Sequence, residues 1–154
     1  MNRYPKGIYV LRIRLEEPEE LKIGSLTTEE FQGEYLYVGS ALGPGGLQRV
    51  RRHMKVSNGS QEGGHWHVDY LTRAGRIVES WLIPTEEDLE CSLAEKLQGE
   101  FDQPVKDFGA SDCKCYSHLF SYEDSKKKDL VKKVKEIASG VKPIRFDWQS
   151  ITPQ

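Results

Sequence analysis

The chain lacks any long apolar run. Nothing in it approaches the roughly 20 residues of a membrane span, and no basic-then-apolar leader opens it, so the expected compartment is the cytoplasm and no membrane partner is expected. Cysteine is scarce. Three among 154 residues close no disulfide framework, which fits a reducing environment. Linkers, repeats and low-complexity tracts are absent, so one domain spanning residues 1–154, with one modest core, is expected. Net charge is also small. At −2 the chain is no general polyanion binder, and a phosphate partner has to be met by local patches.

Such patches exist. Residues 16–34 carry seven acids against Lys22 alone, and residues 46–55 carry four bases and no acid. Residues 126–135 hold six lysines against Asp129. A lysine run of that kind is ordinarily the solvated face of a helix.

Residues 7–14 alternate as a strand, with Tyr9, Leu11 and Ile13 on one face. Residues 21–26 read as a short addition. Residues 34–40 form another strand, with Tyr35 and Tyr37 together. Neighbouring strands of this kind pair most simply as an antiparallel meander. The turn Leu42-Gly43-Pro44-Gly45-Gly46 opens a helix over 47–55, where Leu47, Val50 and Met54 make the apolar stripe. Arg49 and His53, four apart, share one flank. Arg52 points away from the stripe, to solvent or distant phosphates.

Residues 65–71 are ambiguous between helix and strand, and 77–83 read as a strand. A helix is expected over 85–98 with Thr85 as its N-cap. Residues 102–116 look irregular, 117–122 a last strand, and 125–139 an amphipathic helix stopped by Gly140. Phe146 and Trp148 would dock the tail. The fold class is therefore α/β, a small central antiparallel sheet flanked by helices.

The side chains that carry chemistry are few. On the 85–98 helix, Leu89, Leu93, Ala94 and Leu97 define the buried face. At about 100° per residue Glu90 falls inside it. An acid there needs a partner or a metal. Arg49 follows a glycine-rich turn at a helix start, where phosphate is favoured. His53 has the pKa range for proton transfer. Tyr9 and Tyr37 are poor bases at a phenol pKa of about 10 unless cations lower it, and Arg49 is placed to do so. Gly7 and Gly39 allow close approach beside them. Arg51, Arg52 and Lys55 are candidate DNA contacts. Taken singly, each of these is also an ordinary strand aromatic or surface cation. Cys91, Cys113, Cys115 and His118 form a conceivable Cys3His set, but the spacing is irregular and zinc is not expected. His65 and His67 share a face only if that segment is a strand.

Gly7-Ile8-Tyr9 and Tyr37-Val38-Gly39, with Arg49, His53 and Glu90 in order behind them, resemble the GIY-YIG nuclease superfamily. Residues 35–53, 65–71 and 108–120 are similar to a subgroup of small domains that stand alone or are joined to a base-excision DNA glycosylase. The resemblance implies metal-dependent hydrolysis of phosphodiester bonds in DNA, in a repair setting with possible repair partners; RNA stays open as a substrate. It implies that Glu90 holds one Mg²⁺ or Mn²⁺. Tyr9 or Tyr37 would position or deprotonate the attacking water with His53 as relay, and Arg49 would stabilise phosphoryl charge. The segment between the signatures is longer than in compact members. The polar residue often found after the glutamate helix has no evident counterpart, with Ser111, Asp112, Ser117 and His118 as substitutes. The alternative is a non-catalytic nucleic-acid-binding module with a Cys/His structural site.

Overall fold

The computed structural model describes residues 5–60, 62, 66–109, 115–138 and 143–147. One antiparallel sheet contains β1 (Gly7–Ile23), β2 (Thr27–Ala41), β3 (Arg76–Pro84), β4 (Leu119–Tyr122) and β5 (Ile144–Asp147), in the order β4-β2-β1-β3-β5. The helices are α1 (Gln48–Ser57), α2 (His67–Ala74), α3 (Glu90–Gln98) and α4 (Lys127–Ala138). This is the α/β class with a central antiparallel sheet that the alternation implied. No helix among the described residues is long and apolar enough to cross a membrane.

Strand β1 lies in the middle, so both of its faces are covered. Side chains alternate across a strand, which sends Ile8 and Val10 to one side with Leu36, Val38, Trp81 and Ile83, under α3 and α4. Tyr9, Leu11 and Ile13 go to the other side with Tyr35 and Ile77, under α1 and α2. The protein thus has two apolar layers, one on each face, rather than one core.

Charge ties the strands to the segment leading into α4 on one face of the sheet. Arg12 and Glu79, register partners on β1 and β3, are both buried. Arg12 Nη1 donates to Glu79 Oε1 at 2.9 Å and Nη2 to Asp124 Oδ1 at 3.0 Å, while Nε pairs with Glu34. Lys127 (3.1 Å) and Arg145 complete the contacts of Glu79. Burial alone would pull the Arg12 pKa down, but Glu34 and Glu79 raise it above its usual value. Two charges removed from water are tolerated only when paired this fully. Five separate segments meet at this cluster.

Several boundaries differ from the sequence expectation. The acidic stretch is paired: β1 and β2 run on as a long hairpin arm, closed by a turn at 24–26 with Gly24 at φ 52°. Residues 16–18 face only Gln32, a bulge in the register, and Pro18 has no N–H for the ladder. Residues 21–26 are therefore not a separate strand. Thr85 does not cap a helix; its Oγ1 accepts from the Glu87 N–H at 3.1 Å in a local turn, and α3 begins five residues later at Glu90. Residues 67–74 are helical. The last described strand is β5, not β4, and it adds to the free edge of β3. Gly140 and Trp148, and the side chain of Phe146, lie outside the described residues.

Gly39 faces Tyr9 across the β1–β2 ladder. A Cβ at Gly39 would stand 2.4 Å from the Tyr9 ring. Gly43, in the following turn, has open space at the same position. Gly39→Ala is expected to cost about 1–3 kcal/mol in urea unfolding, as overpacking does, and Gly43→Ala much less. Equal stability for the two variants would contradict this packing.

Candidate active site

Tyr9 projects from the central strand onto the α1 side and is almost completely buried. A buried phenol needs a hydrogen-bond partner, and His53 provides it from the third turn-facing position of α1. Tyr9 Oη and His53 Nε2 are 2.8 Å apart. Tyr37, from the neighbouring strand, completes an aromatic triangle: its ring centroid lies 6.4 Å from both Tyr9 and His53. Gly109, with φ 66°, lets the loop before β4 pass close to Tyr37; a Cβ there would lie 2.8 Å from the ring.

Arg49 sits one turn before His53. Its Nη1 donates to the Ser40 carbonyl at 2.8 Å, and its guanidinium lies 4.8 Å from the centre of the Trp66 ring. The glycine-rich turn, Arg49, Arg52 and Trp66 line a cleft of about 320 Å³. A larger cleft of about 1050 Å³ lies beside the α4 lysines, far in sequence from both tyrosines and lined by none of the site residues.

Glu90 opens α3. Its Oε1 lies 2.9 Å from Nδ1 of the buried His118, out of line for a good hydrogen bond. The charge of Glu90 raises the pKa of both Tyr9 and Tyr37, so it acts at the same end of the sheet as Arg49, which lowers both. All five sequence candidates, Tyr9, Tyr37, Arg49, His53 and Glu90, therefore interact directly or through space.

The electrostatics differ from the expectation that Arg49 would activate a phenol. For Tyr9 and Tyr37 the largest influence is burial, which raises the pKa, and Arg49 offsets only part of it. Both phenols stay protonated at neutral pH. His53 is lowered from 6.5 to about 4, first by burial and then by Arg52 and Arg49, against the opposing pull of Asp69. It is a neutral imidazole at pH 7. Which of Tyr9 Oη and His53 Nε2 donates in the bond between them follows the tautomer of the neutral imidazole.

Arg52 is also not where the helix phase put it. It forks onto buried Asp69 of α2, at 3.1 and 3.2 Å, and lies 4.3 Å from the centre of the Trp66 ring. The helical turn of 67–74 brings Asp69 against the outer flank of α1, which turns an apparent solvent position into an interhelical one. Arg51 and Lys55 are exposed, as solvent-facing DNA contacts require. His67 Nδ1 accepts the Gly109 N–H at 2.9 Å. Ser117 Oγ accepts the Leu119 N–H at 3.0 Å, so of the two described substitutes, Ser117 and His118, it is His118 that meets Glu90. Cys91 is disulfide-bonded, so the reduced-thiol expectation does not hold there. The first turn of α3 packs on the loop before β4, with Cys115 Sγ 3.7 Å from the Cys91 carbonyl. His65, Ser111, Asp112 and Cys113 lie outside the described residues.

Trp66 and Asp69 went unrecognised in the sequence. The available signal was the 65–71 segment itself, whose helical reading would have placed both beside α1.

The fold and these side chains define an α/β domain with helices on both faces of its sheet and a phenol–imidazole–guanidinium–carboxylate cluster at one end of it. Residues 8–140 match the model of the family described as the domain of unknown function DUF123, and the chain belongs to that family. No curated protein and no solved structure matches the chain.

Stability should fall with acid in a window set by His53. Unfolded histidine takes up its proton near 6.5, folded His53 near 4. Between the two the unfolded chain binds more protons, so stability is full above about 6.5 and is lost as pH falls toward about 4, by up to roughly 3 kcal/mol. His53→Gln, which keeps an acceptor for Tyr9, should flatten most of that slope in urea titrations. His67, also lowered by burial, would supply a residual slope. An unchanged slope in the variant would contradict the buried neutral imidazole.

Arg52→Ala should leave Asp69 under-paired and destabilise by about 2–3 kcal/mol, measured by thermal unfolding. Adding Asp69→Asn should restore part of the loss. A neutral Arg52→Ala would show that the pair holds nothing together.

Proposed function

We propose that this domain is a metal-dependent DNA endonuclease that hydrolyses phosphodiester bonds. The observation that carries the reading is the convergence of Tyr9, Tyr37, His53, Arg49 and the charge of Glu90 at one end of the sheet, from four separate elements. The phosphate enters by the cleft at the glycine-rich turn, where Arg49 meets the developing phosphoryl charge. Arg51 and Lys55 hold the flanking backbone and make binding salt-dependent.

Glu90 suits a hard divalent ion such as Mg²⁺ or Mn²⁺. It is a partly exposed carboxylate, and such ions take one or two carboxylates and keep several waters. When bound, the ion polarises phosphoryl and water oxygens. The protein's own groups do the rest. Tyr9, protonated at rest, orients the nucleophile and passes a proton to His53 Nε2 as it accepts one. An incoming phosphate favours the imidazolium and so works against the burial that keeps His53 neutral. Tyr37 closes the pocket beside it.

One observation favours the alternative, a nucleic-acid-binding module without catalysis: His118 Nδ1 stands 2.9 Å from Glu90 Oε1, so the carboxylate already has a nitrogen beside it without a metal. Nicking of supercoiled and branched DNA with Mg²⁺ or Mn²⁺ separates the two. Wild type should cut and Glu90→Ala should lose at least about 100-fold. Under single-turnover conditions at saturating DNA, Arg49→Ala should be slower by about 10²–10³-fold, while Lys55→Ala should only weaken binding. DNA binding without cutting by wild type, in either metal, would establish the binding module instead.

A further inference from the structure

A second donor set lies behind Glu90. Cys91, Cys115 and His118 each bring one ligand atom within 4.8 Å of the others. They come from the first turn of α3 and the loop leading into β4, so the irregular sequence spacing that argued against zinc is closed by the fold. In a tetrahedral zinc site, with Zn–S of about 2.3 Å and Zn–N of about 2.0–2.1 Å, neighbouring donors are about 3.3–3.8 Å apart. A small contraction of the cluster suffices.

His118 gives the independent indication. It is completely buried, and neither ring nitrogen has a hydrogen-bond partner among the described residues. Buried polar groups are almost always partnered, and the exceptions point to an ion or a chemical role. Glu90 stands 2.9 Å from Nδ1. A carboxylate beside one nitrogen of a histidine whose other nitrogen ligates is the usual support of a metal-bound imidazole.

We infer that Cys91, Cys115 and His118 bind a soft divalent ion of the zinc class when Cys91 is reduced, with Glu90 orienting His118. The disulfide at Cys91 closes the site. A dithiol reductant opens it: the S–S bond breaks, two electrons and two protons pass to the sulfurs, and the reductant becomes a disulfide. Metal entry then releases the two thiol protons to solvent as both sulfurs become thiolates. Because both sulfurs must lose their protons to bind the metal, binding should tighten with rising pH. The site touches the proposed hard-ion site through Glu90, but its three donors are other residues and its test does not depend on the nuclease reading.

Cobalt(II) is the probe. Protein reduced anaerobically with a dithiol, then desalted, should take up one cobalt per chain, with thiolate-to-cobalt charge-transfer bands in the near ultraviolet and intense tetrahedral bands in the visible. One equivalent of zinc should bleach them. The unreduced protein should show neither. Cys115→Ser and His118→Gln, checked for folding by circular dichroism, should each lose the charge-transfer signature or weaken it at least tenfold. Absence of bands in reduced wild type, or bands unchanged in a folded Cys115→Ser, would overturn the assignment. Neither result bears on DNA cleavage.

Discussion

The hydrogen bond between Tyr9 and His53 is the contact around which the rest of the site is arranged. Tyr9 occupies the central strand and is almost completely buried, so its hydroxyl needs a partner within the fold. Leaving it unpaired would cost about 1–3 kcal/mol. The bond fixes the rotation of α1 about its own axis, because His53 must point into the sheet. That rotation sets Arg49, one turn earlier, at the cleft mouth and leaves Arg51 and Lys55 outside. Gly39 makes the same contact feasible from below, since any side chain there would displace the phenol. A structural requirement, satisfying one buried donor, thus places the groups that the proposed chemistry uses.

Much of this was legible in the sequence because it rests on period. Alternation in 7–14 put Tyr9, Leu11 and Ile13 on one face, that in 34–40 put Tyr35 and Tyr37 together, and the 3.6-residue repeat put Arg49 near His53. Glu90 stood out as an acid within an apolar stripe, and it is indeed partnered. What escaped was anything decided between elements. Arg12 and Glu79 look like the polar half of two strands, yet they pair under α4 because cross-strand register sets them opposite each other. Arg52 looked solvated because helix phase knows nothing of Asp69 on the next helix. The start of α3 was misplaced because Thr85 resembles a cap wherever its hydroxyl meets a local N–H.

The tyrosine chemistry shows the same limit. Sequence adjacency suggested that Arg49 would acidify a phenol. Burial is the larger influence, and it acts the other way. Phenols that stay protonated are donors and relays rather than bases, and their effect depends on a partner able to take the proton. His53, kept neutral by the same burial, is that partner. Desolvation therefore sets the protonation states of all three rings together, and a change in solvent access would shift them together.

The central claim is that Glu90 and the Tyr9–Tyr37–His53 triangle form one site able to hold a hard divalent ion. Paramagnetic broadening by Mn²⁺ tests this most directly, because it reads proximity without requiring turnover. With specifically labelled tyrosine and histidine side chains, substoichiometric Mn²⁺ should broaden the Tyr37, Tyr9 and His53 ring signals of wild type and leave them sharp in Glu90→Ala. Broadening confined to residues of the acidic hairpin arm at 16–20, with the three rings untouched, would contradict the account.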